Sequence, residues 1–279
     1  MIIGNLVAAF QAVSFGKLFY RELESQKILG LKLNKGNFVS KVRLNNGSLN
    51  ELVWWKHNIM ESTNSITTPK IDKVIYTDAS KAGWGFHSDN CSNGGRWNNT
   101  EQAKHINLLE LLAMFIGLKS ICKNNYKHVK IMSDNATAIS YINNMGGTKS
   151  KACNKIAKDI WLWSIKEGLW ISAAFIPGKD NHEADKASRQ FNDATEWMLN
   201  TNVFKEITLS LGQPSIDLFA SRSNRQIERY VAWKPEPEAV AIDAFSIPWT
   251  NEFNYIFPPF SVLDRTVAKI RREQAYIDI

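Results

Sequence analysis

The order of strand-like and helix-like segments between residues 73 and 190 is the feature that most constrains the fold of this chain. Three short strand-like segments come first, at 73–77, 83–87 and 94–97, separated by Gly, Asn and Ser residues typical of turns. Helix and strand patterns then alternate, with helices at 107–121, 135–143 and 181–190, a basic helix after 146–147, and strands at 128–132 and 170–176. The first part predicts an antiparallel meander, and the second predicts an α/β sheet. The roughly 120 residues are expected to form one domain.

Residues 1–60, which precede this region, are predicted to be helical. Apolar residues recur at helical spacing up to Gly30. Ser48-Leu-Asn-Glu51 predicts a capping box at the start of a helix that continues through Trp54 and Trp55. Because adjacent residues cannot share one face of a helix, one tryptophan could lie in the core and the other in an interface or groove, but two partly buried packing residues are the favoured interpretation.

The composition of the chain predicts where the central domain begins and where the C-terminal region follows it. Residues 61–70 are polar and contain Pro69, which predicts a linker between residues 1–60 and a central domain at 71–190. Residues 191–279 are predicted to form a C-terminal α+β extension that contains a helical pair, an irregular stretch and a closing helix.

Charge and cysteine content narrow the classes of function. The chain has 279 residues, of which 44% are hydrophobic and 22% charged, a mixture typical of globular proteins. Its net charge of +7 divides into +5 in residues 1–70, +5 in 71–190 and −3 in 191–279, so the first two regions are better suited to face a polyanion. Three cysteines without C-x-x-C spacing favour a reducing intracellular compartment over a disulfide framework or a thiolate zinc site. No stretch reaches the roughly 18 apolar residues of a membrane span, so no membrane association is predicted.

Four acidic residues occupy positions in the central region that are typical of a metal site. Asp78 and Asp134 end the first and fourth strands, Glu110 lies in a strongly apolar helix, and Asp185 lies in the first turn of the last helix. A buried Glu110 is costly unless it is paired or bound to a cation, and carboxylates without His or Cys suit Mg²⁺ or Mn²⁺. Two such ions are the usual machinery for phosphodiester displacement.

Each acid taken alone has a structural interpretation that is favoured over catalysis. Asp78 and Asp134 suit turns or helix N-caps, Glu110 suits a lysine partner, and Asp185 suits a helix dipole. The four together, in this order of strands and helices, favour the metal site.

Four segments that contain these acids resemble the motifs of the ribonuclease H domain of retroelement reverse transcriptases, and most closely those of DIRS-type retrotransposons. They are Tyr76-Thr-Asp78-Ala-Ser80, His105-Ile-Asn107-Leu-Leu-Glu110, Ser133-Asp134-Asn135 and Pro177-Gly-Lys-Asp-Asn181-His-Glu-Ala-Asp185. The resemblance covers 71–190 and implies an α/β fold of the ribonuclease H type, a mixed five-stranded sheet with flanking helices. Residues 1–60 resemble a thumb or connection segment. No polymerase palm or polymerase aspartate pair is present, so this chain is not expected to polymerise by itself.

The resemblance implies cleavage of the RNA strand of an RNA–DNA hybrid by a metal-activated water. Asp78 would bridge two Mg²⁺ ions, for which Mn²⁺ could substitute, Glu110 and Asp134 would hold one ion, and Asp185 would hold the other. The implied partners are the hybrid and the rest of the reverse transcriptase polyprotein.

Further residues are expected to contact the nucleic acid. They are Ser80, Asn107, Asn135, Lys151 and Lys155, and Lys158 continues the helical spacing of the two lysines. Asn107 matches a family position at the minor groove, where 2′-hydroxyls mark RNA, with a helix N-cap as the equal alternative. The lysines could follow phosphates, although a solvated basic face is the commoner meaning of such a pattern.

The chain departs from cellular members of the family in one loop. Those proteins carry a histidine about ten residues before the final aspartate, whereas this stretch reads Phe175-Ile-Pro-Gly here, and His182 lies nearby at a different place. Two alternatives remain open. One is a nuclease of the same fold with another substrate, against which Glu110 argues. The other is an inactive, nucleic-acid-binding connection-type domain, against which the intact set of four acids argues.

The last third weakly resembles phage-type DNA adenine methyltransferases. The resemblance rests on Asp217-Leu-Phe-Ala-Ser, Asn224, Arg229-Tyr230, Asp243, Trp249 and Phe257-Pro-Pro-Phe260-Ser. The catalytic tetrapeptide of those enzymes begins with asparagine, and Phe257 stands in its place. The resemblance therefore predicts an inactive relic that transfers no methyl group, and an unrelated packing domain is an equal alternative.

Overall fold

The computed structural model describes residues 2–67, 69–89, 91–122, 126–191, 197–275 and 277–278. Its helices are α1 (Ile2–Ala9), α2 (Arg21–Leu33), α3 (Asn46–Asn58), α4 (Asn99–Gln102), α5 (Ile106–Ile121), α6 (Ala136–Asn143), α7 (Lys151–Lys166), α8 (His182–Arg189), α9 (Thr201–Leu211) and α10 (Leu263–Glu273). Its strands are β1 (Lys73–Ala79), β2 (Gly83–Ser88), β3 (Cys91–Arg96), β4 (His128–Ser133), β5 (Trp170–Phe175), β6 (Ile216–Asp217), β7 (Val231–Ala232), β8 (Ala241–Ile242), β9 (Asn254–Tyr255) and β10 (Ile277–Asp278).

The central sheet has five strands in the order β3-β2-β1-β4-β5. Strands β1, β2 and β3 are paired antiparallel, as expected for a meander, whereas β4 and β5 are parallel. Parallel neighbours need a crossover connection, and α6 and α7 supply it between β4 and β5. The predicted fold class, a mixed five-stranded sheet with flanking helices, is confirmed.

By their contacts the residues group into two compact units, each of which draws on several parts of the chain. The first comprises residues up to 74, 110–112 and 126–177, and the second comprises 75–109, 113–125 and 178 onward.

Within the first unit, aromatic side chains join the N-terminal helices to α7 and β5. The Phe15 ring lies 6.0 Å from Trp161 and 5.8 Å from Trp170. Trp55 is buried and donates from its indole nitrogen to the Phe19 carbonyl, while Trp54 stacks on the Phe19 ring at 4.1 Å. Both tryptophans therefore pack within this unit, which was the favoured interpretation.

The capping box predicted at Ser48 and Glu51 is wrong. Helix α3 begins three residues earlier, and the Asn45 side chain accepts from the Ser48 N–H as its N-cap. The Glu51 carboxylate instead accepts from the N–H groups of Glu22 and Leu23 at 3.0 and 2.9 Å, so it caps α2. Burial raises the pKa of the Glu51 carboxyl, and these two hydrogen bonds oppose the rise.

The segment predicted as a linker is attached to its surroundings near both ends. The Ser14 hydroxyl donates to the Thr63 carbonyl at 2.7 Å. Beyond Thr68, which lies outside the described residues, the Pro69 carbonyl lies 2.7 Å from Nδ1 of the buried His128. The Asp72 carboxylate accepts from the His128 N–H at 3.0 Å, and such hydrogen bonds lower the pKa of Asp72.

Within the second unit, α8 lies directly against β2 and β3, and two glycines make this approach possible. A Cβ on Gly85 would lie 2.3 Å from the Ala184 carbonyl oxygen, and a Cβ on Gly94 would lie 1.9 Å from that of Ala187. Because real Cβ atoms are not found closer than 3.0 Å to such atoms, only glycine fits at either position without a shift of the backbone.

The C-terminal residues of the second unit form a small core around Trp249, together with Ile216, Leu218, Val231 and Ile256. Arg222 is paired with Glu101 of α4, and the Asn93 side chain of β3 donates to the Pro235 carbonyl at 3.0 Å. Of the predicted helical pair, α9 is present, and residues 192–196 lie outside the described residues. Within the described part of the chain, no helix has the length and apolar character needed to cross a membrane.

Candidate metal centre

Three of the four predicted acids lie together. Asp78, Glu110 and Asp134 each offer a carboxylate oxygen, and these three oxygens lie within 4.8 Å of one another. Asp78 and Glu110 are buried, with exposed fractions of 5% and 4%, and Asp134 is exposed. The group therefore has two buried members and one that faces solvent.

Local structure accounts for the position of each acid. Asp78 lies near the end of β1, opposite Gly85 in the register of β1 and β2. Glu110 lies in the first turns of α5, whose N-cap is His105. Asp134 follows β4 directly and precedes Asn135, which is the N-cap of α6 and accepts from the Ala138 N–H at 2.9 Å.

Asp185 is placed differently from the other three. It lies in α8, and its Oδ1 atom is 2.6 Å from Nε of Arg189, one helical turn later. Among the described residues, the group of three acids does not include it. Helix α8 nevertheless contacts the end of β1, because the Ser188 hydroxyl donates to Asp78 Oδ2 at 2.6 Å and the Asn181 amide donates to the Thr77 carbonyl at 3.0 Å.

The three polar residues that were predicted to contact the substrate differ in burial. Ser80 is buried, and its hydroxyl donates to the Ser188 carbonyl at 2.7 Å and accepts from the Gly83 N–H at 3.0 Å. Asn107 is half-buried at the second position of α5, and its N–H donates to His105, so the N-cap is His105. Asn135 is half-buried.

The basic residues of α7 and the loop histidine are more accessible. Lys151 and Lys155 are exposed, whereas the ammonium of Lys158 lies 5.3 Å from the centre of the Phe19 ring. His182 is 74% exposed and lies 3.4 Å from Glu183. Lys151 and Lys155 thus remain accessible to a polyanion, and Lys158 packs against the N-terminal helices.

Two residues around the acids were not singled out from the sequence as site residues. Asn181 belongs to the last motif and is buried, with a side-chain oxygen that has no hydrogen-bond partner among the described atoms. Ser188 is also fully buried. Its position three residues after Asp185 places both on one side of α8, and this spacing is the signal that could have identified it.

The chemistry of the donor set suits a hard divalent cation. Three carboxylates within 4.8 Å, two of them buried, bring negative charges together where little water can solvate them. A divalent cation removes this repulsion, and oxygen ligands without thiolate or imidazole favour Mg²⁺ or Mn²⁺. The residues present therefore fit such an ion.

A further buried carboxylate, that of Asp217, lies in the C-terminal residues. Asp217 is 2% exposed and accepts from the N–H groups of Phe219 and Gln226 at 3.3 and 3.1 Å. Burial raises the pKa of Asp217 to about 6, against the opposing effect of these hydrogen bonds. It lines a small pocket with Phe257, whose ring stacks on Tyr255 at 6.4 Å.

Comparisons with known proteins give one family match and several similar solved structures. No curated protein matches this chain. Similar solved structures include RNase H1 from the halophilic archaeon Halobacterium salinarum NRC-1, with 15% identity over 41% of this chain and 96% of that chain and a TM-score of 0.34. The N-terminal RNase H domain of rv2228c from Mycobacterium tuberculosis, solved as a fusion with maltose binding protein, has 14% identity over 41% of this chain and 94% of that chain, with a TM-score of 0.31.

A third similar structure is the foamy viral protease-reverse transcriptase dRH in complex with double-stranded DNA. It has 13% identity over 63% of this chain and 31% of that chain, with a TM-score of 0.28. Because all three TM-scores are below 0.5, the fold class rests on the strand order and pairing of the sheet itself. The family described as reverse transcriptase-like matches residues 85–191, so this part of the chain is similar to reverse transcriptase-like proteins.

Proposed function

We propose that this chain is a metal-dependent endonuclease that cleaves the RNA strand of RNA–DNA hybrids as part of a DIRS-type retrotransposon reverse transcriptase. The observation that carries the proposal is the convergence of Asp78, Glu110 and Asp134 within 4.8 Å. The match of residues 85–191 to the reverse transcriptase-like family and the net charge of +5 in 71–190 support a nucleic-acid substrate.

Each of the four acids has a proposed role in binding Mg²⁺. Asp78, Glu110 and Asp134 would hold one Mg²⁺ ion, and Asp185 would help to hold a second that Asp78 shares. Bound Mg²⁺ would supply an activated water and stabilise charge on the phosphate. Asp134 is the exposed member, so it borders the solvent from which a phosphodiester would approach. Asp185 would have to exchange Arg189 for the second ion, because its carboxylate is paired with that residue.

Other residues would bind the hybrid. Asn107 and Asn135 flank Glu110 and Asp134 in sequence and would contact the nucleic acid close to the site. Lys151 and Lys155, exposed on α7, would bind phosphates. Ser80 is left out of this set, because its buried hydroxyl is bound to Ser188 and to the turn after β1.

The proposal is tested with the Asp134→Asn variant. The change keeps the shape of the side chain but removes a ligand and a negative charge, so we expect cleavage of a labelled hybrid to be abolished while hybrid binding is unchanged or tighter. Asp159→Asn is the matched control, since Asp159 is an exposed acid on α7, outside the group of three. Cleavage by Asp134→Asn within a few-fold of wild type would contradict the metal assignment.

The same assay separates the remaining alternatives. Wild-type protein is incubated with an RNA–DNA hybrid, an RNA duplex or a DNA duplex, each with Mg²⁺, Mn²⁺ or EDTA. We expect cleavage of the hybrid alone and only with a divalent ion. Cleavage of another duplex would indicate a nuclease with a different substrate. Binding without any cleavage would indicate an inactive connection-type domain.

A further inference from the structure

Three hydrogen bonds tie the end of β1 to α8. The Asn181 amide donates to the carbonyl of Thr77, the Ser188 hydroxyl donates to Oδ2 of Asp78, and the Ser80 hydroxyl donates to the carbonyl of Ser188. The first two act on consecutive residues of the strand. Ser188 thus contacts the Asp78 carboxylate through its side chain, and its backbone carbonyl is held by Ser80, the residue that directly follows β1.

The position of Ser188 is also fixed by packing. A Cβ on Gly85, which is opposite Asp78 in the sheet register, would lie 2.5 Å from the Ser188 nitrogen. The backbones of β2 and α8 are therefore in direct contact at this point. Ser188 is 0% exposed, so its hydroxyl is shielded from bulk solvent where it donates to Asp78.

The contact has the geometry of a strong hydrogen bond. Its length of 2.6 Å falls in the range of roughly 2.5–2.7 Å found when a hydroxyl donates to an ionised carboxylate. The same hydroxyl lies 2.9 Å from the Asp185 carbonyl, but it has one proton, and the charged acceptor is the closer one. Donation to Asp78 restricts the rotation of its carboxylate, as hydrogen bonds from outer residues do for metal ligands.

We infer that Ser188 is a positioning residue that holds the Asp78 carboxylate ready for the divalent cation. This inference rests on the function proposed above, since it concerns a ligand of the proposed metal site. Outer partners of metal ligands typically contribute about 10–100-fold to metal affinity. Ser188 is expected to act on metal binding itself, in addition to any contribution to folding.

The test compares three variants by calorimetric titration of the full chain with MnCl₂ and with MgCl₂. Ser188→Ala removes the hydroxyl, and Ser188→Cys keeps most of its volume but offers only a weak donor. Ser120→Ala is the matched control, because Ser120 is also buried and its hydroxyl donates to a helix carbonyl, that of Ile116. The melting temperature without metal is recorded for every variant.

We expect both Ser188 variants to bind the metal about 10–100-fold more weakly than wild type, and Ser120→Ala to bind like wild type. If Ser188→Ala fails to fold, Ser188→Cys carries the comparison. Wild-type affinity in a folded Ser188 variant, with or without a lower melting temperature, would overturn the inference while leaving the proposed function intact. A wild-type chain that binds neither metal and cleaves no hybrid would overturn the proposed function and this inference with it.

Discussion

The contact between β3 and α8 leads to a prediction about Gly94. Gly94 pairs with Gly85 across β2 and β3, and an added Cβ would lie 1.9 Å from the Ala187 oxygen, 2.6 Å from the Ala187 carbonyl carbon and 2.8 Å from the Trp84 oxygen. All three are backbone atoms, so no side chain can rotate away to make room. Gly94→Ala therefore forces a displacement of α8 or of β3.

The size of this displacement follows from the distances. The added Cβ would lie 1.9 Å from the Ala187 oxygen, whereas real Cβ contacts begin at 3.0 Å. The two atoms must therefore move apart by about 1.1 Å. Overpacking of this kind typically costs about 1–3 kcal/mol, and a backbone neighbour places Gly94→Ala at the upper end of that range. A shift of the same size along the Ser188–Asp78 bond would lengthen it from 2.6 Å to about 3.7 Å, beyond hydrogen-bond distance. We therefore expect weaker metal binding as well as lower stability.

The assay is urea denaturation followed by tryptophan fluorescence, together with Mn²⁺ titration of the folded variant. Gly4→Ala is the control, because Gly4 lies in α1 and an added Cβ would meet nothing within 4 Å. That variant should gain up to about 1 kcal/mol from the helix propensity of alanine. A free energy of unfolding for Gly94→Ala within about 0.5 kcal/mol of wild type would refute the reasoning.

Three further predictions concern Asp217, His182 and the lysine pair Lys151 and Lys155. Because the folded-state pKa of Asp217 is about 6, above the ordinary 3.8, its contribution to stability is greatest at low pH and is lost as the pH rises through 6. Between pH 4 and pH 7, wild type should lose roughly 2 kcal/mol relative to Asp217→Asn in urea denaturation, and parallel pH profiles would contradict this. His182→Ala should lower hybrid cleavage by less than about tenfold, since His182 is 74% exposed, and a loss as complete as that of Asp78→Asn would show that it acts in catalysis. Lys151→Ala combined with Lys155→Ala should reduce the slope of log affinity for the hybrid against log salt concentration by the amount expected for about two lost phosphate contacts. An unchanged slope would exclude both lysines from the interface.

Much of the fold could be predicted from the sequence because strand and helix patterns are local. The five strands of the central sheet begin and end within about three residues of the predicted positions, and α5, α6 and α8 within one residue. Alternation of side chains along a strand and the 3.6-residue period of a helix depend on neighbours in the chain, so a single sequence contains this information. The candidate site residues could also be identified from local patterns, since Asp78 and Asp134 lie at strand ends and Glu110 interrupts an apolar helix.

Hydrogen-bond partners that are distant in sequence could not be predicted. Ser48 and Glu51 have the spacing of a capping box, yet Glu51 caps a helix that begins about 30 residues earlier, because packing places the N–H groups of Glu22 and Leu23 beside its carboxylate. Ser80 belongs to a motif whose acid is a candidate ligand, but its hydroxyl is buried against Ser188. A local pattern records which groups can form a hydrogen bond and does not record which partner lies within reach.

The sequence by itself therefore determined the elements, the order of strands and helices along the chain, and the acids suited to a divalent cation. Only the tertiary structure decided that carboxylate oxygens of Asp78, Glu110 and Asp134 come within 4.8 Å, that Asp185 is paired with Arg189, and that the Ser188 hydroxyl donates to Asp78. The physical reason is distance along the chain. Asp78 and Ser188 are 110 residues apart, and their contact depends on α8 lying against glycine backbone in β2 and β3, which no periodicity within either segment encodes.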